Sequence, residues 1–448
     1  MMKRTLVLLS LSLVACGDDG NMDPDPPPPP PPGDTTVRLN DNITANTTFT
    51  ADKKYVIPRL KQLFVEPGAT LTIQPGTVVQ GEEGSVLVIT RGAKIMAEGT
   101  AAKPIVFTTA QPDGAKTRGF WGGLLILGAA PINVNTLSTP ASTEATFEAF
   151  TSAIPEGKFG GTKADDNSGV LKYVRVEFAG FNFVADREFN NLTLCGVGSG
   201  TTLDYIQVHG GSDDGIEFFG GTANIKHLVS SQNGDDGFDT DNGWNGKAQF
   251  VVIQNITPDG AREASNGYES DNHGTPASYE AAPRTLPTIY NATIIGNPAY
   301  TGGTSFAGVF RRGTGGHYAN HIFYGFPIGP EFRDAATQAQ LDAGELSFKS
   351  SILFNNGPSN TNLPPPQANG DISEATYYDG TIRMEDPGLS ATGVQSKTAP
   401  DFKPAVSSSV FSGFATPTDP FFDAAPFVGA MGMEDWTAGW TAYPQPTN

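Results

Sequence analysis

An internal recurrence of 22 residues limits this chain to a small set of folds. The segment Asp204-Tyr-Ile-Gln-Val-His-Gly-Gly-Ser-Asp-Asp-Gly-Ile-Glu is followed by Lys226-His-Leu-Val-Ser-Ser-Gln-Asn-Gly-Asp-Asp-Gly-Phe-Asp. The Asp-Asp-Gly triplet that starts at Asp213 therefore returns at Asp235. Internal periods of this size indicate solenoids, in which each repeat packs only on its neighbours. A period of 22 residues predicts about one coil of a parallel β-helix.

Short apolar runs separated by glycine turns extend this prediction towards the N-terminus. Such runs lie between Tyr55 and Phe107, with turns at Pro67-Gly68, Pro75-Gly76 and Arg91-Gly92. Strands this short, with turns this close, do not suit a sandwich of hairpins. Looser copies of the repeat follow further along the chain, and because their spacing widens beyond Val251, we expect loops to bulge from some turns.

The predicted β-helix domain covers residues 37–448, with terminal caps and loop insertions. Residues 37–54 are expected to cap one end, and roughly the last 30, with Trp436 and Trp440, to cover the other. Residues 141–169 and 357–370 are expected to be loops. A body of roughly 410 residues exceeds the usual size of a single core. A solenoid avoids this limit because it grows in one dimension.

The charge balance excludes one class of partner. The chain has 47 acidic and 28 basic residues, a formal net charge of −19. Nucleic-acid binding needs a basic stripe, so we expect no nucleic-acid partner. The excess of carboxylates suits a solvated extracellular surface or cation binding.

The first residues predict export and a lipid anchor. Lys3 and Arg4 precede the apolar run Leu6–Val14, which is shorter than the roughly 20 residues needed to span a bilayer. It therefore indicates a secretory signal peptide, residues 1–15. Leu13-Val14-Ala15-Cys16 resembles the lipobox of bacterial lipoproteins, which implies lipidation of Cys16 and attachment to a membrane. Residues 16–36, rich in Asp and Pro, would then be a linker, and the expected location is the outer membrane or cell surface.

Cysteine use is consistent with that leader. Cys195 is the only other cysteine, so the mature chain forms no internal disulfide. It lies in the apolar run Leu192–Cys195 and is expected to be a small buried side chain.

Several further motifs resemble a known family. They are Pro67-Gly-Ala-Thr-Leu-Thr-Ile-Gln-Pro-Gly-Thr, Glu98-Gly-Thr-Ala-Ala-Lys-Pro-Ile-Val-Phe-Thr, Phe120-Trp-Gly-Gly-Leu, Gly198-Ser-Gly-Thr and the closing Trp436-Thr-Ala-Gly-Trp-Thr. The chain is similar, from about residue 55 onwards, to right-handed parallel β-helix lipoproteins and secreted proteins of gliding and predatory bacteria. The resemblance implies an all-β, single-stranded right-handed parallel β-helix. It implies no catalytic residues, because a fold does not fix a function.

One acidic cluster is the candidate site for chemistry. Its members fall within three predicted coils: Asp213, Asp214, Glu217, Asp235, Asp236, Asp239, Asp241, Glu269 and Asp271. Equivalent positions on neighbouring coils stack about 4.8 Å apart. At that distance two unpaired carboxylates repel by roughly 3 to 4 kcal/mol at an effective dielectric of 20. A bound calcium would remove this repulsion, because calcium takes six to eight oxygen ligands, and the first seven acids are its candidate ligands. A purely structural alternative is that each Asp caps its own turn.

A catalytic interpretation of the same residues also stays open. Asp213, Asp235, Asp236 and His273, with Arg311 or Arg312, distantly resemble the site of β-helical polygalacturonases. The sequence departs from that family in three ways: no glycine flanks the motif Asn272-His273-Gly274 as it does there, no Arg-Ile-Lys follows, and Asp213 is not in an Asn-Thr-Asp triplet. A polysaccharide lyase would instead need calcium and a base, for which His209 and Arg311 are candidates.

Aromatic residues near the acids are candidates for ligand contact. Trp244 and Tyr268, beside Glu269 and Asp271, could line a ledge for sugar rings, although aromatic residues in coil strands are more often core. The first functional hypothesis is a non-enzymatic surface protein that binds a glycan, a matrix component or another cell-surface protein. The alternative is a calcium-dependent polysaccharide lyase or a glycoside hydrolase.

Overall fold

The chain winds into three parallel faces that are built from short strands and tight turns. The computed structural model describes residues 35–138, 141–150, 153–184, 187–256, 265–300, 304–364 and 372–447. Cys16, the predicted signal peptide and nearly all of the predicted linker lie outside the described residues. Residues 36–448 form one compact unit.

The first half of the described chain contains the strands β1 (Thr36–Arg38), β2 (Thr47–Phe49), β3 (Lys54–Ile57), β4 (Gln62–Val65), β5 (Thr70–Ile73), β6 (Val78–Gly81), β7 (Val86–Ile89), β8 (Lys94–Glu98), β9 (Ile105–Thr109), β10 (Leu124–Leu127), β11 (Glu144–Thr146), β12 (Lys158–Gly160), β13 (Gly169–Glu177), β14 (Asn182–Val184), β15 (Arg187–Glu188) and β16 (Leu192–Val197).

The second half contains the strands β17 (Thr202–His209), β18 (Ile216–Gly221), β19 (Asn224–Ser231), β20 (Phe238–Asp241), β21 (Lys247–Gln254), β22 (Tyr268–Asp271), β23 (Thr288–Ile295), β24 (Phe306–Arg311), β25 (Gly316–Tyr324), β26 (Ile328–Phe332), β27 (Leu346–Lys349) and β28 (Ile352–Phe354), and the helices α1 (Ala335–Ala343), α2 (Glu374–Tyr377) and α3 (Ala391–Val394). Single 3₁₀ turns lie at Pro155–Gly157, Pro276–Ser278, Pro358–Asn360 and Ser409–Phe411.

Face 1 is a sheet of nine strands in the order β4-β7-β10-β16-β18-β20-β22-β24-β26. The strands of the second large sheet form faces 2 and 3. β2, β5 and β8 lead into the first half of β13, and β3, β6 and β9 lead into its second half. From β13 to β25 one long strand per coil serves both faces, and in the last coil β27 and β28 pair with the two halves of β25. All these neighbours pair in parallel, which confirms the predicted all-β parallel β-helix.

The register confirms the 22-residue period and its later widening. Val208 pairs with Ser230, and Ile216 pairs with Phe238, so one coil takes 22 residues in both sheets. Ile253 pairs with Ile294 in the next coil, because a loop of variable length is inserted between equivalent strands.

A column of left-handed residues forms the corner between faces 2 and 3. Each long strand bends at one residue with positive φ, between 49° and 59°: Tyr173, Tyr205, His227, Phe250, Asn291 and Asn320. These are the positions skipped in the strand pairing. Non-glycine residues seldom adopt this conformation. Because it recurs at the same position in successive coils, the corner is a repeated element of the fold.

The interior is a continuous stack of apolar side chains, one layer per coil. Inward positions alternate with outward ones along each strand. On face 1 the inward column runs through Ile216, Phe238 and Tyr268, while their neighbours point outward. Full burial of one such side chain stabilises the fold by about 1.5–3 kcal/mol.

Two segments cover the outside of the coils. Residues 129–163 place Phe147, Phe150 and Phe159 over the apolar N-terminal half of face 1. The C-terminal segment, residues 383–447, packs on outward apolar residues such as Val229, Val252 and Ile322. Trp436 and Trp440 therefore lie along the side of the β-helix, and the expectation that they cover its end is wrong. At that end α1 and α2 pack on the last coil instead.

Candidate functional site

The acidic cluster lies on the outward side of face 1, beyond the part that residues 129–163 cover. Glu217 pairs with Asp239, and Asp239 pairs with Glu269. Asp271 pairs with Arg311 two positions further along. Because every second residue of a strand points the same way, the parallel register stacks these side chains on successive coils. We call the depression formed by Asp213, Asp214, Asp235, Asp236, Asp239 and Glu269 the acidic groove.

The Asp-Asp-Gly turns form a ladder that runs from coil to coil. Asp214 Oδ1 accepts a hydrogen bond from the Asp236 backbone N–H (2.9 Å). Asp236 Oδ1 accepts one from Asn266 N–H (2.9 Å), and Asn266 Oδ1 accepts one from Phe306 N–H (3.0 Å). Each side chain thus caps the turn of the next coil. Asn266 performs this role without a charge, so the ladder alone does not explain the carboxylates at Asp214 and Asp236.

Three sets of carboxylates converge closely enough to share a cation. They are Asp213 with Asp214 and Asp235, Asp214 with Glu217 and Asp239, and Asp236 with Asp239 and Glu269. Within each set the nearest oxygens all lie within 4.8 Å of one another. Oxygens on opposite sides of a calcium ion are separated by about 4.6–5.2 Å, since each Ca–O distance is about 2.3–2.6 Å. The spacing therefore suits calcium.

Burial and mutual repulsion make these carboxylates hard to ionise. Asp214 is 7% exposed and Asp236 is 4% exposed. Burial, with repulsion from neighbouring acids, raises the pKa of Asp214, Glu217, Asp236 and Asp239 well above their ordinary values. Burial and the charge of Asp271 raise the pKa of Asp241 to about 7. Such shifts identify a candidate functional site.

Asp214 and Asp239 each belong to two of the three sets. Asp239 differs from Asp214 in that its Oδ1 is buried and has no hydrogen-bond partner in the described part of the chain. A buried oxygen without a partner is energetically unfavourable. A cation bound by Asp236, Asp239 and Glu269 would satisfy it.

At its far end the groove changes from acidic to mixed charge. Arg311 Nε lies 2.9 Å from Asp271 Oδ1, and the same guanidinium contacts Glu269. Arg312 Nη1 lies 2.7 Å from Asp271 Oδ2. The adjacent carboxylates raise the pKa of Arg311 further, although burial opposes this. Burial raises the pKa of Glu269 and Asp271 despite these arginines.

The acidic groove encloses a volume of about 250 Å³. Besides the acids, its walls contain Asn266, Thr304, Phe306, Val309, Arg311 and Arg333. The described lining includes no histidine or lysine. Sequence reasoning missed Asn266, Phe306 and Arg333, and only the coil register could have located them beside the acids.

The structure does not bring the other predicted site residues into the groove. Trp244 is fully buried and its ring stacks on Phe218, with centroids 4.3 Å apart. Tyr268 is 2% exposed and lies in the interior. Neither ring can form the expected ledge, because both belong to the inward stack.

Both candidate histidines are held elsewhere by hydrogen bonds. His273 Nε2 lies 3.0 Å from Val134 O, and its Nδ1 accepts from Thr275 N–H. His209 lies on face 3, where its ring nitrogens bond Ser231 Oγ and Pro444 O. Cys195 is buried and free, and burial raises its thiol pKa.

Comparison with known proteins places the chain in a family. Among the described residues, no helix has the length and apolar character needed to cross a membrane. No curated protein and no solved structure is significantly similar to the chain. Residues 41–441 match the family model of the pectate-lyase-like beta helix domain. Since that match covers most of the sequence and agrees with the observed coils, the chain belongs to the family of pectate-lyase-like β-helix domains.

Proposed function

We propose that this protein is an exported, lipid-anchored surface protein that binds its ligand without catalysis, and that calcium in the acidic groove is part of the binding face. The ligand is a glycan or another surface component. The observation that carries the proposal is the position of Asp239, whose unpartnered Oδ1 lies between two sets of converging carboxylates.

The coil that carries Asn266 supplies a further argument for a bound cation. Asn266 maintains the turn ladder with a neutral side chain, whereas Asp214 and Asp236 occupy the equivalent positions with carboxylates that repel their neighbours. A carboxylate is unfavourable at a position where a neutral amide makes the same hydrogen bond, unless a bound cation compensates the negative charge. Calcium prefers such an all-oxygen environment.

The absence of a free base in the described groove favours binding over lyase chemistry. A lyase needs a group that can take a proton at working pH. Arg311 contacts Glu269 and Asp271, and its raised pKa keeps it protonated. The described groove lining contains no histidine or lysine to replace it.

Glycoside hydrolysis is the second candidate function, and one observation favours it. Acid catalysis uses a carboxyl group whose pKa is raised beside a second carboxylate, about 5–5.5 Å away in retaining enzymes. In the set Asp236, Asp239 and Glu269 the nearest carboxylate oxygens lie within 4.8 Å of one another, and the pKa values of Asp236 and Asp239 are raised. No aromatic subsite accompanies them in the described groove beyond Phe306.

Calorimetric titration of the purified chain with calcium tests the cation. We expect binding with a dissociation constant on the order of 10⁻⁴ M or tighter. Asp239→Asn should weaken it at least tenfold, because it removes a carboxylate charge from two sets at once. Asp41→Asn, at an exposed carboxylate outside the groove, is the matched control and should leave the affinity unchanged. Equal affinities in the two variants would contradict the proposed site.

Incubation with acidic polysaccharides separates binding from catalysis. Polygalacturonate and alginate should be retained by the calcium-loaded chain, released by a chelator, and recovered at their original length. New reducing ends, or unsaturated products that absorb in the ultraviolet, would overturn the non-catalytic proposal and favour hydrolase or lyase chemistry respectively.

A further inference from the structure

An aromatic column on the side of the β-helix forms a second candidate site. It lies away from face 1, which carries the acidic groove. At the corner between faces 2 and 3, four successive coils carry Tyr173, Tyr205, His227 and Phe250. Their rings stack with centroid separations of 4.4, 4.1 and 4.9 Å. The next two coils carry asparagine at the same corner. These amides hold the C-terminal segment, since Asn291 donates to Phe427 O and Asn320 donates to Ala415 O.

Between the aromatic column and the C-terminal segment lies a cavity of about 800 Å³. The ring of Trp440 is inclined by 83° to that of Tyr205, with the centroids 5.9 Å apart, and the ring of Trp436 is inclined by 68° to that of His227, with the centroids 5.2 Å apart. Each indole N–H is already used, by Ala430 O and Trp436 O respectively. The walls are therefore preformed, and the volume lies in the range of small-molecule sites, about 300–1,000 Å³.

The charges around this cavity are negative. Glu434 and Asp435 contribute to its lining, which includes no lysine or arginine among the described residues. Basic side chains beside the aromatic column are ion-paired: Lys172 with Asp204, Lys226 with Asp423, and Arg175, which donates to Trp440 O, with Glu177. Glu434 is exposed and has no ion-pair partner in the described part of the chain.

We propose that this cavity binds an organic cation, with a methylated ammonium head group as the recognised element. Tryptophan attracts cations most strongly through its electron-rich face, and because the column rings cover one another's faces, the partly exposed Trp436 is the ring proposed to contact the cation. The carboxylates add charge complementarity. The C-terminal segment already makes one cation–π contact, since Lys226 Nζ lies 4.9 Å from the centre of the Phe421 ring. An anionic ligand would meet these two carboxylates and no lysine or arginine in the described lining, and the lining histidine, His227, already pairs with Asp204.

Titration with choline, followed by tryptophan fluorescence, tests the proposal. Trp121, Trp244 and Trp440 are all buried, so a response reports Trp436, the partly exposed tryptophan of the cavity lining. The neutral isostere 3,3-dimethylbutan-1-ol keeps the shape and removes the charge, and we expect choline to bind about tenfold more tightly, as a cation–π contact of 1–2 kcal/mol implies. Saturating calcium should leave choline affinity unchanged, because the two sites lie on different faces.

Substitutions in the lining test whether choline binds in this cavity. Glu434→Gln should weaken choline binding roughly threefold, as expected for one partly exposed charge, whereas Glu345→Gln, also at an exposed carboxylate, should not. Trp436→Ala should abolish the fluorescence response, and native circular dichroism would establish that this variant folds. The proposal is overturned if choline and its neutral isostere bind equally, if Glu434→Gln has no effect, or if calcium displaces choline.

Discussion

At the scale of single residues, Asp239 and its neighbours determine how the protein responds to protons and cations. Burial and mutual repulsion raise the pKa of Asp214, Glu217, Asp236 and Asp239. In the unfolded chain the same groups titrate near 4. The folded chain therefore binds more protons above pH 4, and the resulting stability is lost as pH rises through the folded-state pKa values.

Between pH 6.5 and 8 the metal-free protein should lose stability as pH rises. Asp241, with a pKa of about 7, ionises in this window, and the pKa values of Asp214, Glu217, Asp236 and Asp239 are raised in the same direction. His209 acts in the opposite sense, but only below pH 6.5, because burial lowers its pKa to about 4. In the presence of a chelator, the midpoint of thermal unfolding should fall as pH rises across this window. Calcium should raise the midpoint and make it depend less on pH. A midpoint that rises with pH in the chelator would contradict the assigned shifts.

At the scale of elements, the Asp-Asp-Gly turn combines a ladder with close packing. A Cβ atom on Gly237 would lie 2.2 Å from Ile253 Cγ2 and 3.0 Å from Gly267 O. A Cβ on Gly215 would lie 2.2 Å from Ser230 Oγ. Glycine is required here because the turn packs against the neighbouring strand and coil.

Gly237→Ala should destabilise the protein by about 1–3 kcal/mol, the usual effect of overpacking. Gly380→Ala is the matched control, since a Cβ there would meet nothing within 4 Å. Denaturant unfolding of both variants measures the difference. Equal midpoints would show that the turn relaxes without strain.

The coils were predictable from sequence because each contact repeats at a nearly fixed spacing. The acidic positions followed from the same register, since Asp213 and Asp235 lie one coil apart. The C-terminal segment was not predictable in this way. Its contacts, such as Gln207 with Ala442 and Asn320 with Ala415, join residues far apart in sequence and follow no period. The interior position of Tyr268 was equally ambiguous, because a shift of one residue moves a strand side chain to the other face.

Asn320→Ala should loosen the C-terminal segment while leaving the coils folded. Asn320 Nδ2 donates to Ala415 O (2.8 Å), and its Oδ1 accepts from Ala415 N–H (2.7 Å). Losing both bonds leaves the part-buried N–H and C=O of Ala415 without these partners, at about 1 kcal/mol each. Hydrogen exchange should become faster around residues 410–430. Asn355→Ala, at a residue with similar positive φ but no described side-chain bond to that segment, should have no such effect.

At the scale of the whole molecule, the outer surfaces of the coils have separate roles. Residues 129–163 and 383–447 cover apolar strips, and the second half of face 1 leaves its carboxylates in an open groove. A solenoid permits this division because its core is complete within each pair of coils. Outward side chains can then vary from coil to coil without loss of the fold.

The most direct test of the calcium-binding account is a crystal structure of the protein grown with calcium. The account predicts an ion coordinated by Asp239 together with Asp236 and Glu269, or with Asp214 and Glu217, at Ca–O distances of about 2.3–2.6 Å. Its anomalous signal should vanish in crystals of Asp239→Asn. A calcium-grown structure with no ion in the acidic groove, and with these carboxylates turned apart into solvent, would contradict the account.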